Sequence, residues 1–467
     1  MTMPSLRRLA ASLVAITIAS TLSYAQDNWV RDPRRPMGVQ PDHAVVQARS
    51  INLNELVPFL DGQWQGSKRA ADGNIYFASS SHSGNHGAAF FRFDPRANEL
   101  KMLCDDMTRV CGEDPQQNPQ GKMHSDIVEA KGWLYFTTHF SSERPGAKLT
   151  YTGAHVLGYE LATGTFRDFG VAHPGYTIYS GVGVDPDGRW IFCTPTPLSN
   201  EQVAAGGQAH LVRFDIATGE KHDLGTITPG NHVAIYTLLV AGNGDCWFSP
   251  RTTPGRVWRY SMEQNKLESW ENAVPGYRAG ERVEGQRPGN AGWWHWSRRL
   301  GEGDRRVVSI MGEPRVWTFD PSLAPDWDKA WKMGPATGPL FLGMDYAGGR
   351  VYYIQRATRK TQVKGDDHHL FSVALEPVES VPVDHGLIVD QDGHRPWRIE
   401  SIVADGAGRV FTVGDWYALP GEKGMMRYRP GPEGQDAWAE QIRNQRFAWM
   451  DVSAQIAAKL ETGAGGK

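Results

Sequence analysis

The sequence predicts an all-β fold, a seven-bladed β-propeller of four-stranded antiparallel blades. Three observations predict it. One pattern of short alternating strands with glycine-bearing turns recurs along the chain. The third strand of each copy looks like the others: FFRFDPRANEL, LGYELATGTF, LVRFDIATGEKHDLG, VWRYSMEQNKLESW, VWTFDPSL and LFSVALEPVESV. The 467 residues include 52 Gly, 29 Pro and 17 Trp, which suits a turn-rich, aromatic β protein. Four strands repeated radially make a propeller, with eight blades as the other count to weigh.

Residues 1–25 have Arg7 and Arg8, an apolar run to Leu22, and Ser23-Tyr24-Ala25 before Gln26. That is the pattern of a secretory signal peptide, so export to the periplasm or beyond is expected. Residues 26–60 lack a full blade, and AVVQARSINL there reads as a strand that closes the ring. The propeller domain is expected over 61–453, with copies at 64–100, 122–170, 179–225, 236–271, 295–333, 341–385 and 398–443. Residues 454–467 read as a polar tail. The copy at 122–170 is the clearest: HSDIVEA, a Lys131-Gly132 turn, WLYFTTH, a long polar loop, AHVLGYEL, a Thr163-Gly164 turn, and TFRDFG.

A net charge of −3 gives no field for nucleic acid or an anionic membrane surface. No later segment reaches the ~20 apolar residues of a membrane span. Cys104 and Cys111 are close enough in sequence for a small disulfide, whereas Cys193 and Cys246 read as buried thiols in strands. No Cys/His spacing resembles a zinc site.

In a propeller, the start of strand one, the end of strand two and the loop after it share one face. The long loops are all of that kind, and the tight turns (AKG, DPDG, GNGD) lie on the other face. Aligned on those turns, His124, Tyr179, Tyr236 and Glu400 are equivalent, with Phe341 in the sixth copy and His295 or Trp296 in the fifth. Fifteen residues on come His139, Arg251, Arg356 and Asp415, paired with His124, Tyr236, Phe341 and Glu400. Titratable groups from several blades therefore converge on one mouth.

Two His, two Tyr and an Arg, without a nucleophilic Ser or Cys motif, suit proton chemistry on an anionic ligand. Elimination at a uronic acid needs a base for the C5 proton, an acid for the leaving O4, and neutralisation of the carboxylate. His and Tyr supply the first two. Arg supplies a bidentate clamp. Trp416 and Tyr417 are candidate sugar platforms at the rim, with Glu400, Asp415, Arg356 and His295 as further substrate contacts.

HSDIVEAKGWLYFTTH, YTIYSGVGVDPDG and YTLLV…WFSPRTTPGRVWRY resemble the secreted seven-bladed propeller polysaccharide lyases, ulvan lyases in particular. The resemblance implies β-elimination next to a uronic acid by two His, a Tyr and an Arg on one face. By position these are His124, His139, Tyr236 and Arg251, with Tyr179 competing for the tyrosine. In this scheme Tyr236 or His124 takes the C5 proton, and Tyr236 returns one to the leaving oxygen. A Tyr base needs a pKa lowered by Arg251. No cofactor is required, and a structural divalent cation near Asp366, Asp367, His368 and His369 is left open. The partner is an anionic polysaccharide or oligosaccharide, with no nucleic acid and no membrane span.

Blander readings stand beside these. His155, His210 and His369 open third strands at equivalent positions, which looks like a fold feature. His82 and His86 read as solvated loop residues. Tyr179 and Tyr236 also suit an aromatic channel plug, Arg251 a turn brace, and the Trp runs at 293–296 and 327–331 packing between blades. Two other functions compete: a non-catalytic glycan- or protein-binding propeller, and a metal-dependent enzyme like the propeller lactonases or streptogramin lyases. The latter would want carboxylates such as Glu400 and Asp415 around a cation.

Overall fold

Tight turns define the blades. Ala130 and Trp133 pair across Lys131-Gly132, whose φ values of 49° and 82° are the left-handed pair that a two-residue hairpin in a twisted sheet requires. A second local device recurs in Asp168-Phe169-Gly170, Asp223-Leu224-Gly225 and Asp384-His385-Gly386. In each, the Gly N–H donates to the Asp Oδ1, at 2.7, 2.9 and 2.8 Å. The glycines have φ of 98°, 112° and 114°, a region that penalises a side chain. The same aspartates lie against the histidines that open the third strands: they hydrogen-bond to His155 at 2.8 Å and His369 at 3.0 Å, and Asp223 sits 2.8 Å from His210 Nδ1 without hydrogen-bond geometry. This His–Asp tie pins strand three to strand four where the ladder slips register.

The computed structural model describes residues 44–82, 84–114, 117–141, 151–227, 235–278, 291–338, 343–356, 368–419, 422, 425–426 and 442–464. The signal-peptide region 1–25, Phe341, Asp366 and Asp367 lie outside the described residues, as does the side chain of Arg356. The described residues belong to one unit, 44–426 with 442–467.

Five four-stranded antiparallel sheets follow one another and form blades one to five. Their first strands are Ser67–Arg69, Val128–Ala130, Thr177–Val184, Leu239–Val240 and Trp294–Arg299. The remaining strands differ from the expected pair of separate blades. They form one nine-stranded sheet. Met344–Ala347, Arg350–Arg356, His368–Ala374 and Val383–Asp390 make one antiparallel run. Val383–Asp390 then pairs in parallel with Val45–Asn52. Val45–Asn52 pairs antiparallel with Ile442–Asp451, which continues to Arg409–Tyr417 and Pro396–Ala404. The fusion arises because both edges of Val45–Asn52 are hydrogen-bonded. A short strand, Met425–Met426, pairs with Ile442–Asp451. Ser453–Ala464 is an α-helix where the sequence reads as a tail.

Buried side chains cluster between successive four-strand groups. One cluster, with Leu53, Phe77, Phe91, Phe93, Phe411 and Phe447, joins the last strands to blade one. There the rings of Phe77 and Phe447 stack with centroids 4.6 Å apart. Burying several Phe rings at about 2 kcal/mol each makes this seam a major source of ring stability. The four cysteines are free, so the small disulfide between Cys104 and Cys111 is not formed. No described helix is long and apolar enough to cross a membrane.

Candidate functional site

The site begins with a backbone clasp. Lys122 N–H donates to His139 O at 3.1 Å, and His139 N–H donates to Lys122 O at 2.8 Å. This sets the entry of blade two's inner strand against the exit of its second strand. The rings of His124 and His139 consequently lie 4.4 Å apart. Trp64, at the entry to blade one, stacks on His124 at 4.0 Å and 22°. Tyr179 from blade three sets its ring 5.6 Å from His124, edge-on, and 4.8 Å from His139.

Both imidazoles are buried, and burial pushes their pKa values well below the ordinary range. The Lys122 charge adds to this for both, and a proton on His139 would oppose one on His124. Both rings are therefore neutral. His139 Nδ1 lies 3.1 Å from Ile178 O and 2.5 Å from Thr177 Oγ1. A carbonyl only accepts, so the proton is assigned to Nδ1 and Nε2 keeps its lone pair. His124 Nδ1 is buried with no hydrogen-bond partner among the described residues.

The second half of the mouth comes from blades four and five. Tyr236 packs against Trp293 at 4.7 Å and His295 at 5.4 Å, with the Arg251 side chain close enough to act on its phenol. Arg251 also lies over Trp293, 5.9 Å from the ring centre. Its charge acts on Tyr179, Tyr236 and His295 alike, which links the two halves. Burial, with Arg251 adding, holds His295 down to about 3. The tyrosines differ from expectation. Burial raises the pKa of both Tyr179 and Tyr236, and Arg251 only partly offsets it. Each phenol keeps its proton, so neither is preset as a base.

The other candidates divide. Glu400 is half-buried and ion-paired with Arg398 at 2.7 Å. Asp415 is buried and accepts from Gln445 Nε2. Trp416 is 0% exposed and packs with Ile399, Ile402 and Ala448, so it offers no face to a sugar. The alternation of its strand points it into the core. Tyr417 is half-buried, opposite Arg443 in the sheet. His82 is tied to Asp61 at 2.8 Å and its ring lies 5.3 Å from that of Trp64, so it is no loose loop residue.

Several site residues escaped the sequence reading: Trp64, Gln65, Lys122, Trp293 and Arg398. Lys122 and Arg398 both place cations over Trp64, at 5.3 and 5.4 Å. Gln65 Nε2 donates across the channel to His295 O at 3.0 Å. Counting eight residues back from the turn glycine, as from Gly132 to His124 and from Gly244 to Tyr236, reaches Gln65 from Gly73. The first copy thus carried a usable signal.

Below the mouth, Arg298 crosses the channel to Asp126 at 2.6 Å and to Asp345 at 3.0 Å. A cavity of about 730 Å³ lies on the tight-turn side, lined by these residues and by Lys131, Gly132 and Asp185. It collects none of the histidine or tyrosine candidates.

No family model matches the chain, and no curated protein does. Solved structures share its propeller fold. A GH74 enzyme from Niastella koreensis superposes with a TM-score of 0.50 at 12% identity, over 78% of this chain and 52% of that one. An oligogalacturonate lyase in complex with manganese gives a TM-score of 0.46 at 9% identity, over 89% and 99%. TolB from Acinetobacter baumannii gives 0.39 at 11%, over 67% and 63%. The chain thus spans about half of the GH74 enzyme and under two thirds of TolB. At these identities the likeness concerns fold alone.

Proposed function

We propose that this protein is an exported polysaccharide lyase that cleaves beside a uronic acid, in an ulvan-like polymer, by β-elimination. The observation that carries the reading is the contact of two neutral, buried histidines with a protonated tyrosine, beside an arginine. His124 or His139 takes the C5 proton, since each is a neutral imidazole with a free lone pair. Tyr179, whose ring touches both, holds the proton that O4 needs on departure. Arg251 faces the uronate carboxylate, where charge grows as the C5–H bond breaks. Tyr236, packed with Arg251 against Trp293, positions the guanidinium. Tyr179, the competing candidate in the sequence, takes the tyrosine role here because its ring meets both imidazoles, and burial keeps both phenols protonated, so the base is a histidine. Glu400, Tyr417 and Arg356 remain candidate walls of a longer groove.

The joined sheet is read here as two blades sharing an outer edge, which makes a ring of seven. Residues 1–25 are proposed as a signal peptide, 26–60 as an extension with the closing strand, and 61–453 as the catalytic propeller. No cofactor is assigned to the elimination. A lactonase-like metal mouth is less well supported, because Glu400 is engaged by Arg398 and Asp415 by Gln445. A purely binding propeller gives no reason for desolvated histidines with an unpartnered ring nitrogen.

The test is absorbance of the unsaturated uronate product when the purified protein meets a panel of uronate polymers. A rise on one polymer is expected. A flat trace across the panel, with the protein folded, would replace the lyase by the binding module.

A further inference from the structure

The His–Asp tie between strands three and four occurs three times, at His155, His210 and His369. The first has gained a thiol and a second carboxylate. Cys111, just past the short helix Met107–Val110, brings its sulfur to His155, and the potential ligand atoms of Cys111, His155 and Asp168 all lie within 4.8 Å of one another. On the far side of the ring, His155 Nε2 meets Glu113 Oε1 at 3.0 Å. Glu113 is itself fixed by Gln120 Nε2, 3.1 Å from both oxygens, and by the Thr152 hydroxyl. Cys111 and His155 are 8% and 5% exposed, while Asp168 reaches solvent.

We propose that Cys111, His155 and Asp168 form a metal site of the zinc class. A thiolate, an imidazole and one carboxylate are a borderline-soft set that suits Zn²⁺ and not Ca²⁺ or Mg²⁺, which take oxygen ligands. Three protein ligands leave a fourth tetrahedral position on the open, Asp168 side. Glu113 stands where a metal-bound histidine finds its orienting carboxylate, accepting from Nε2–H and leaving Nδ1 for the metal. The ligands are far apart in sequence, so no spacing motif announces them. The other carboxylate–histidine cluster, Asp390, Asp392 and His394, lacks this character. There the Arg446 guanidinium sits 2.8 Å from His394 Nε2 and opposes a cation.

The site's role follows from what it ties down. Gln120, held by Glu113, accepts from the Thr138 hydroxyl at 2.7 Å and from the Tyr151 hydroxyl at 2.9 Å. Thr138 directly precedes His139, and Lys122 lies two residues beyond Gln120. A metal here braces the segment that presents Lys122, His124 and His139 without touching the mouth.

The test loads metal-stripped full-length protein with Co²⁺ and follows the thiolate-to-cobalt charge-transfer band, with metal content measured in parallel. One equivalent with the band is expected, retained in Cys104→Ser and lost in Cys111→Ser. Glu113→Gln, whose fold is checked by circular dichroism, is expected to weaken the metal by about 10- to 100-fold. A Cys104–Cys111 disulfide in the unreduced protein would overturn the proposal. So would a band that survives Cys111→Ser, or no stoichiometric metal bound by folded, reduced wild type.

Discussion

The rings of His124 and His139 lie 4.4 Å apart, and neither carries charge at neutral pH. Two imidazolium ions at that distance would repel, and burial removes the water that would screen them. The pair is stable because it is neutral, which is also the state a base requires.

A pH dependence follows from the downward shifts of His124, His139 and His295. In the unfolded chain each takes up a proton near the ordinary imidazole value of about 6.5, while the folded chain resists until well below it. The unfolded state then binds more protons as pH falls. Their contribution is therefore complete above about pH 6.5 and declines below it, by up to about 1.4 kcal/mol per group per pH unit. Urea midpoints at pH 7.5 and 5.0 check this, with a shallower decline expected in His124→Gln.

The tyrosines are separable by kinetics. Tyr179→Phe removes the proton held against the two imidazoles and is expected to lower kcat by about 10²- to 10⁴-fold. Tyr236→Phe loosens Arg251 and is expected to raise KM with a smaller change in kcat. The reverse pattern would return the acid role to Tyr236.

Arg251→Lys keeps the charge but loses the planar fork. A loss of about 10²-fold or more in kcat/KM is expected, because a single ammonium does not reproduce bidentate contact with a carboxylate.

Below the mouth, Arg298→Met leaves Asp126 and Asp345 facing a channel without their shared cation. A loss of about 3 kcal/mol is expected from denaturant unfolding. Adding Asp126→Asn and Asp345→Asn to the same chain should recover part of it, because the stranded charges are then gone.

Trp64 and Trp416 contrast how much of this was legible in the sequence. The repeat period and turn glycines located the inner-strand starts, and hence His124, Tyr179 and Tyr236, because hairpin geometry is local. The side to which Trp416 points depends on strand register near Ile399 and Ser401, where the ladder slips, and the sequence pattern does not show that slip. Trp64 opens the first copy, but its stacking on His124 crosses a blade boundary. The upward shift of the tyrosines was equally hidden, since a nearby Arg is visible in sequence and the depth of burial is not. The joining of two blade-like runs rests on Val45–Asn52 pairing with strands more than three hundred residues away, a contact with no local signature.

The most direct measurement of the account is product absorbance on the responsive uronate polymer, with wild type beside folded His124→Ala and Arg251→Ala. The account predicts a rising trace for wild type and a loss of about 10²-fold or more in each variant. Wild-type rates in both variants would contradict it, and would place the chemistry away from this mouth.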